Sequence, residues 1–281
     1  MDKFSQKIRK CNDHNITNYQ LCYIGTNEII SANLRKSEHN KKCHIGVSGW
    51  HNFDIIAQTY PNHAIIFDYN INQVKFMKWS IYYVNENVTR DKFLDHILSH
   101  IKSTVENQER EVQRKISQQP NGCIEQLTYQ FSSNDIRFYP NLSLDPSYSL
   151  YHQNFFNQKN IPLFEAEIRF EMIRINSWLS NDQSYNYVRQ MIKNDKIAIL
   201  CLDARNLEPI SRLLNENFFL VDTFYISNVA DYMKTEKDKN KLIENVNMIT
   251  SNETKIIWSI SSKNLKQYIT NKVAYILFNS K

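Results

Sequence analysis

Two glycines in one short segment are the first candidates for a functional role. Gly46 and Gly49 stand three residues apart, directly after a short apolar run. Glycine lets a backbone approach a ligand closely, and a helix that follows such a loop offers unpaired amide groups. The chain has only 4 glycines in 281 residues. This pair therefore indicates a position where the lack of a side chain matters.

Acidic and small polar residues end other apolar runs. Asp68 ends one run, Asp203 ends another, and Ser227 and Asn228 end a third. In open parallel sheets, ligands bind beyond the carboxyl ends of the strands. Asp68 lies 22 residues after Gly46, and a carboxylate at about that offset can accept hydrogen bonds from both ribose hydroxyls. These residues predict a nucleoside site, with the alternative that Asp68 only caps its strand.

The hydrophobic pattern predicts the elements that position these residues. Residues 41–70 are predicted to form a strand, a tight loop, a helix and a second, parallel strand. Further strands are predicted at 197–202, 220–226, 255–260 and 273–278. Strands that alternate with helices predict an α/β domain with a mostly parallel sheet and one antiparallel terminal strand.

The long segment between the second and third of these strands is predicted to be helical. Apolar residues recur at helical spacing from Val74 to about Gln118 and again over 151–194, with a turn-rich stretch at 123–150. The chain is therefore divided into an N-terminal segment with the first β-α-β unit (1–73), a mainly helical insertion or lid (74–194), and the remainder of the sheet domain (195–281).

The composition is that of a folded protein without a strong nucleic-acid signal. Apolar residues make up 42% and charged residues 22%, and the net charge of +5 is spread along the chain. No apolar run of membrane length and no standard secretory signal is visible. Five scattered cysteines without CxxC spacing indicate a reducing compartment. The cytoplasm is the expected location, and export by a specialised bacterial machine stays open.

Several enzyme signatures do not match the sequence. Ser48 replaces a glycine that a dinucleotide-binding G-x-G-x-x-G loop needs, and no GxxxxGK[ST] loop occurs. The nucleophile elbow G-x-S-x-G fails at Trp50, and no histidine follows His152 to complete a hydrolase triad. His96 and His100 are four apart on a predicted helix, but no third ligand is evident, so no metal site is predicted.

Four segments resemble class I S-adenosylmethionine-dependent methyltransferases, and more narrowly a bacterial and plant family with a methyltransferase-like fold. They are GVSGWHNFDIIA (46–57), PNHAIIFDYNINQ (61–73), RDKFLDHIL (90–98), and SYNYVRQMIKNDKIAILCLDA (184–204) leading to VDTFYISNVADYM (221–233). The last segment is the most distinctive, because a strand ending in Tyr-x-Ser-Asn-Val recurs in that family. The resemblance covers roughly residues 20–235 and implies a Rossmann-like methyltransferase sheet with a helical insertion.

The resemblance also implies S-adenosylmethionine as the cofactor. By position, the cofactor-binding residues would be Gly46, Ser48, Gly49, Asn52, Asp68, Asp203, Ala204, Ser227 and Asn228. Gly46, Ser48 and Gly49 would lie beside the methionine moiety, and Asp68 would hold the ribose. Asp203 and Ala204 would lie at the adenine. Ser48 departs from the pattern, because many methyltransferases have a second glycine there.

The residues nearest to the methyl acceptor would be Tyr225, Asn228 and Asp231, with the alternative that Tyr225 only packs in its strand. Methyl transfer requires little beyond alignment of the reacting atoms, so methyl transfer to an unknown small-molecule or protein acceptor is the expected activity. The Ser-Asn pair also resembles that of betaine-lipid synthases, which transfer the 3-amino-3-carboxypropyl group of the same cofactor. A non-catalytic binding protein on the same fold is the other alternative.

Overall fold

The computed structural model describes residues 2–16, 22, 28–29, 34, 40–118, 163–174, 176–227, 229–259 and 274–279. Its strands are β1 (Glu28–Ile29), β2 (Lys42–Val47), β3 (His63–Asp68), β4 (Ile197–Cys201), β5 (Leu220–Ser227), β6 (Lys255–Ser259) and β7 (Ala274–Asn279). They form one sheet in the order β1-β7-β6-β5-β2-β3-β4.

All neighbouring strands of this sheet are parallel except one pair. The parallel pairs join β4, β3, β2, β5, β6 and β7 in turn, and β1 runs antiparallel to β7. The predicted α/β architecture with a mostly parallel, Rossmann-like sheet is therefore confirmed. The one antiparallel strand in the described sheet is the two-residue β1, which no hydrophobic pattern in the sequence indicates, whereas the last predicted strand, β7, is parallel to β6.

The described part of the chain contains the following helices. They are α1 (Lys3–Arg9), α2 (His51–Thr59), α3 (Ile71–Glu86), α4 (Arg90–Gln118), α5 (Leu163–Ile173), α6 (Asp182–Lys193), α7 (Glu208–Glu216) and α8 (Glu236–Ile249), with a short 3-10 helix at Val229–Tyr232. Several begin at side chains that accept a hydrogen bond from the first turn, as Asn70 does for α3 and Thr235 for α8.

The helices cover the two faces of the sheet. Helices α1, α7 and α8 share one apolar core, in which Ile8, Leu214 and Val246 are buried. Helices α2 to α6 share the other core, around Phe53 and Trp178. This double-sided covering explains why the strands are apolar on both faces instead of alternating.

The predicted helical insertion is present, with one change. Helices α3 to α6 lie between β3 and β4 in the chain. The pattern predicts helical structure from Val74 to about Gln118 without marking a break, and the structure has two helices that are separated at residues 87–89. Asn87 is extended at this break, and its side chain donates to Tyr83 O at 2.8 Å. The stretch 123–150 lies outside the described residues.

In the part of the chain that the structure describes, no helix combines the length and the apolar character needed to cross a membrane.

Candidate functional site

The strand order reverses between two adjacent strands, β2 and β5. From β2 the chain adds β3 and then β4 on one side, and from β5 it adds β6 and β7 on the other. In open α/β sheets, the crevice at such a reversal is where ligands bind. Ser48 directly after β2 and Ser227 at the end of β5 both have left-handed φ angles, 73° and 50°. Such backbone is costly for a residue other than glycine and tends to occur at functional sites.

Gly46 lies within β2, and its lack of a side chain has a packing explanation. A Cβ atom at this position would be 1.8 Å from Asn52 Oδ1. Asn52 is completely buried, and its amide lies across the backbone of Gly46. The close approach that the sequence attributes to a ligand is therefore made at Gly46 by a side chain of α2.

Asn52 fastens the loop after β2. Its Nδ2 group donates to Val47 O at 2.8 Å and to Gly49 O at 2.9 Å, which leaves Oδ1 as the acceptor for His44 Nε2 at 3.0 Å. Thr223 of β5 lies 2.8 Å from the other ring nitrogen. We therefore assign the ring proton to Nε2. Burial lowers the pKa of His44 to about 4, so the ring is neutral at neutral pH.

Ser48 and Gly49 are the partly exposed residues of this loop. The amide of Ser48 donates to Phe67 O at 3.0 Å, which holds the loop against β3. A Cβ at Gly49 would approach Gln73 Nε2 to 3.0 Å, so α3 also restricts the loop. The backbone at this point is fixed by neighbouring elements and remains accessible to a ligand.

Asp68 ends β3 and is partly exposed. Asn70 donates its backbone N–H to Asp68 Oδ1 at 2.7 Å, so the carboxylate does cap the turn into α3. Burial raises the pKa of Asp68 to about 6, although the backbone amides of Asn70 and Tyr69 oppose this. Among the described residues, no side chain donates to this carboxylate or forms an ion pair with it.

Asp203 follows the end of β4 and is engaged in a different way. Its two oxygens accept hydrogen bonds from Arg205 Nε at 3.0 and 3.1 Å, and Oδ2 also accepts from Nη2 at 2.6 Å. Arg205 also reaches Asp238 of α8 at 2.5 Å. These two carboxylates raise the pKa of the Arg205 guanidinium. Asp203 thus already has a charged partner, and the adjacent Ala204 is buried.

The residues expected near the acceptor are only partly described. Tyr225 is 3% exposed and packs against the ring of His51, with 4.8 Å between ring centroids. Asn228 lies outside the described residues, as does the side chain of Asp231. Tyr225 is therefore packed between β5 and α2, as in the alternative interpretation.

Comparison with protein-family models identifies the family. A model described as a domain of unknown function, DUF7790, matches residues 23–280. The chain belongs to the DUF7790 family. A search of curated proteins finds no match. Strands β2 to β6 all lie within the matched residues, so the candidate site is part of the DUF7790 domain.

A buried ionic cluster beneath the site of this DUF7790 domain is not predicted from the sequence. Asp54 of α2 is fully buried, 2.5 Å from Arg174 Nη2, and it accepts a hydrogen bond from the backbone of Trp178 at 2.8 Å. Glu171 of α5 also binds Arg174, at 2.5 Å. The Arg174 charge lowers the pKa of Asp54 against the effect of burial. The cluster holds α2 to the insertion.

The sequence carries two local signals for this cluster: His51 and Asp54 are three residues apart at the start of α2, and Glu171 and Arg174 are three residues apart at the end of α5. His51 Nδ1 lies 3.2 Å from Asp54 Oδ2. No pattern links either residue to Arg174, 120 residues away from Asp54. Within the described ranges of the DUF7790 domain, no group of three or more His, Cys, Asp or Glu side chains is placed to hold a metal ion.

Proposed function

We propose that the protein binds S-adenosylmethionine or S-adenosylhomocysteine at the carboxyl edge of the sheet and transfers the methyl group to a small-molecule or protein acceptor. The observation that carries this proposal is Asp68. Its carboxylate lies at the end of the strand next to β2, lacks a side-chain partner among the described residues, and titrates near pH 6. A carboxylate in this position suits the two hydroxyls of a ribose.

The other residues of the site fit the same ligand in outline. The partly exposed backbone at Ser48 and Gly49 would lie along the methionine moiety, at the start of α2. The bound cofactor supplies an electrophilic methyl group. The protein's part is to hold the ribose on Asp68 and to fix the loop through Asn52, so that the reacting atoms are aligned.

A non-catalytic binding protein is the second candidate, and two observations favour it. Tyr225 is buried, and Asp203 is already paired with Arg205. Without rearrangement, Tyr225 is therefore not available to an acceptor substrate, and Asp203 is not available to the adenine of the cofactor. A non-catalytic protein of this kind would either bind the nucleoside without converting it or have lost the ability to bind it.

Calorimetry with S-adenosylhomocysteine tests the binding step. We expect a dissociation constant in the micromolar range, and weaker binding of analogues that lack the 2′- or 3′-hydroxyl, since each lost hydrogen bond to a charged group is worth about 1.5–3 kcal/mol. Equal binding of the deoxy analogues would contradict the role of Asp68. No heat of binding at millimolar ligand would contradict the proposal as a whole.

Product analysis then separates the reactions. Methyl transfer leaves S-adenosylhomocysteine, whereas 3-amino-3-carboxypropyl transfer leaves methylthioadenosine, and mass spectrometry distinguishes the two. Binding without either product from a panel of acceptors would favour the non-catalytic candidate.

A further inference from the structure

A polar cluster at the amino edge of the sheet fastens α1 to the turn before β4. Asp2, the N-cap of α1, lies 2.8 Å from His63 Nε2 and accepts a hydrogen bond from Lys196 Nζ at 3.0 Å. Asp195 in the turn accepts a hydrogen bond from Arg9 Nη2 at 2.5 Å. Arg9 is the last residue of α1. Both ends of the helix are therefore tied to the same cluster.

Helix α1 and the residues after it cover the outer edge of the sheet. β4 is the last strand in the sheet order. Asp13 N–H donates to Cys201 O at 2.9 Å, and Cys201 N–H donates to Asn12 Oδ1 at 2.7 Å. Phe4 and Ile8 of α1 are buried in the core on one face. Departure of α1 would expose this edge of β4, and unpaired strand edges tend to recruit other chains.

His63 is the group in this cluster whose ordinary pKa lies nearest to neutral pH. Its side chain is 7% exposed, and its ring meets Phe4 and Phe219 edge-on. Because Nε2 lies 2.8 Å from Asp2 Oδ2, we assign the proton of the neutral ring to Nε2. Nδ1 is buried and has no hydrogen-bond partner.

Protonation of His63 is disfavoured while α1 is in place. The added proton would be on Nδ1, where it finds no acceptor, and burying an unpaired donor is costly. The positive ring would also lie 3.2 Å from Lys196 Nζ. The charged groups that face the ring are Asp2, Lys196 and Asp195. Burial, followed by Lys196, lowers the pKa of His63 below its ordinary 6.5, while Asp2 and Asp195 oppose this.

Acid favours whichever form of the protein binds more protons, and the forms with and without α1 in place differ in this respect at His63. A form in which α1 has left exposes His63 to water and restores its ordinary pKa. That form binds more protons than the closed form at pH values below about 6.5, so acid favours it. Asp2 and Asp195 have lowered pKa values and stay ionised over the same range.

We propose that α1 and residues 10–13 form an acid-releasable cover over the β4 edge of the sheet, opened by protonation of His63. The cover precedes the residues that match the DUF7790 family. The proposal does not depend on the cofactor or on any reaction at the carboxyl edge.

Two cysteines provide a local and a global probe of this opening. The Cys201 side chain packs in the core shared by α2 to α6, but its backbone N–H donates to Asn12 Oδ1 of the cover. Cys43 lies in the central strand β2, which is paired on both sides. Hydrogen exchange of these two backbone amides is measured by NMR at pH 7 and pH 5. Rates are normalised to those of the unfolded chain at each pH. We expect exchange of the Cys201 amide to rise about tenfold at pH 5, because acid favours the form in which His63 is exposed, while the Cys43 amide stays protected.

The variant His63→Gln decides whether His63 is responsible. Asp68 lies opposite Cys201 in the β3–β4 register and titrates in the same range, so pH alone is not decisive. His63→Gln is expected to show equally slow exchange of the Cys201 amide at both pH values, and His96→Gln, at an exposed histidine of α4, is expected to behave as the wild type.

Three results would overturn the proposal: a parallel rise at Cys43 and Cys201, a Cys201 rate that does not change with pH, or an unchanged response in His63→Gln. If that variant does not fold, NMR of the wild type replaces it. The ring of His63 and the amide exchange of α1 should then share one pH midpoint, and separate midpoints would also overturn the proposal.

Discussion

Asp68 and Asp203 end neighbouring strands of the same sheet, yet their surroundings differ. Asp68 has backbone amides and no side-chain partner in the described part of the chain, and burial raises its pKa to about 6. Asp203 is bound by Arg205, which also joins it to Asp238. A carboxylate that is desolvated and has no cationic side chain beside it is a better candidate for ligand binding than one that forms an ion pair. Residue type and strand position alone do not separate the two.

The largest expected difference is in ligand affinity. Asp68→Asn removes the charge that would accept both ribose hydroxyls, and we expect S-adenosylhomocysteine to bind about 30-fold more weakly. The matched variant Asp203→Asn is expected to change the affinity less than about threefold, because Arg205 already occupies that carboxylate. Calorimetry measures both. A larger loss in Asp203→Asn than in Asp68→Asn would reverse the comparison.

The next effect is on the pH dependence of binding. The ionised form of Asp68 is the better acceptor, and with a pKa of about 6 most of it is protonated at pH 5. The affinity should therefore be constant above about pH 7 and fall about tenfold by pH 5. In Asp68→Asn this dependence should disappear. A wild-type affinity that is flat from pH 8 to pH 5 would remove Asp68 from the site.

Stability should show the cost of keeping Asp68 ionised. Its pKa is raised in the folded protein, so the stability it contributes is fully present below its ordinary pKa of 3.8 and is lost as the pH rises through about 6. Asn at this position can still accept from Asn70 and suffers no such loss. We expect Asp68→Asn to be more stable than the wild type by about 1 kcal/mol at pH 8 and not at pH 4.

Denaturation at the two pH values measures this difference directly. A variant that is equally destabilised at pH 4 and pH 8 would mean that Asp68 acts as a structural cap only.

The smallest effect is expected at the other strand end. Arg205 and its two partners are partly exposed, at 38%, 20% and 28% for Arg205, Asp203 and Asp238. Exposed ion pairs contribute little and are screened by salt. Arg205→Met should lower the melting temperature by roughly 2 °C, with a smaller decrease at high salt. A loss many times larger would indicate that this network supports the fold.

Much of the sheet domain is predicted correctly because its signals are local. The β-α-β unit over 41–70 follows from two short apolar runs and one helical spacing, and the structure confirms it as β2, α2 and β3. The later strands are found within one or two residues of their predicted positions for the same reason. Helix α1 is not predicted, because its seven residues make too few turns for a helical periodicity of apolar residues to be recognised.

The site is predicted less completely because its contacts are distant in sequence. Position 46 requires glycine because the side chain of Asn52 fills the space that a Cβ atom would need. The cluster around Asp54 depends on Arg174, which lies 120 residues later in the chain. Ser48 has a left-handed φ of 73°, a conformation that favours glycine. The ion pair of Asp203 could have been predicted from the sequence, because Arg205 follows two residues later.

The most direct test is an NMR titration of the Asp68 carboxyl in the free protein and with saturating S-adenosylhomocysteine. We expect a pKa of about 6 in the free protein. With ligand, hydrogen bonds from the ribose favour the ionised form and should lower this pKa, while the carboxyl signal of Asp203 stays unchanged. A pKa of Asp68 that saturating ligand leaves unaltered, or a response at Asp203 in its place, would contradict the account.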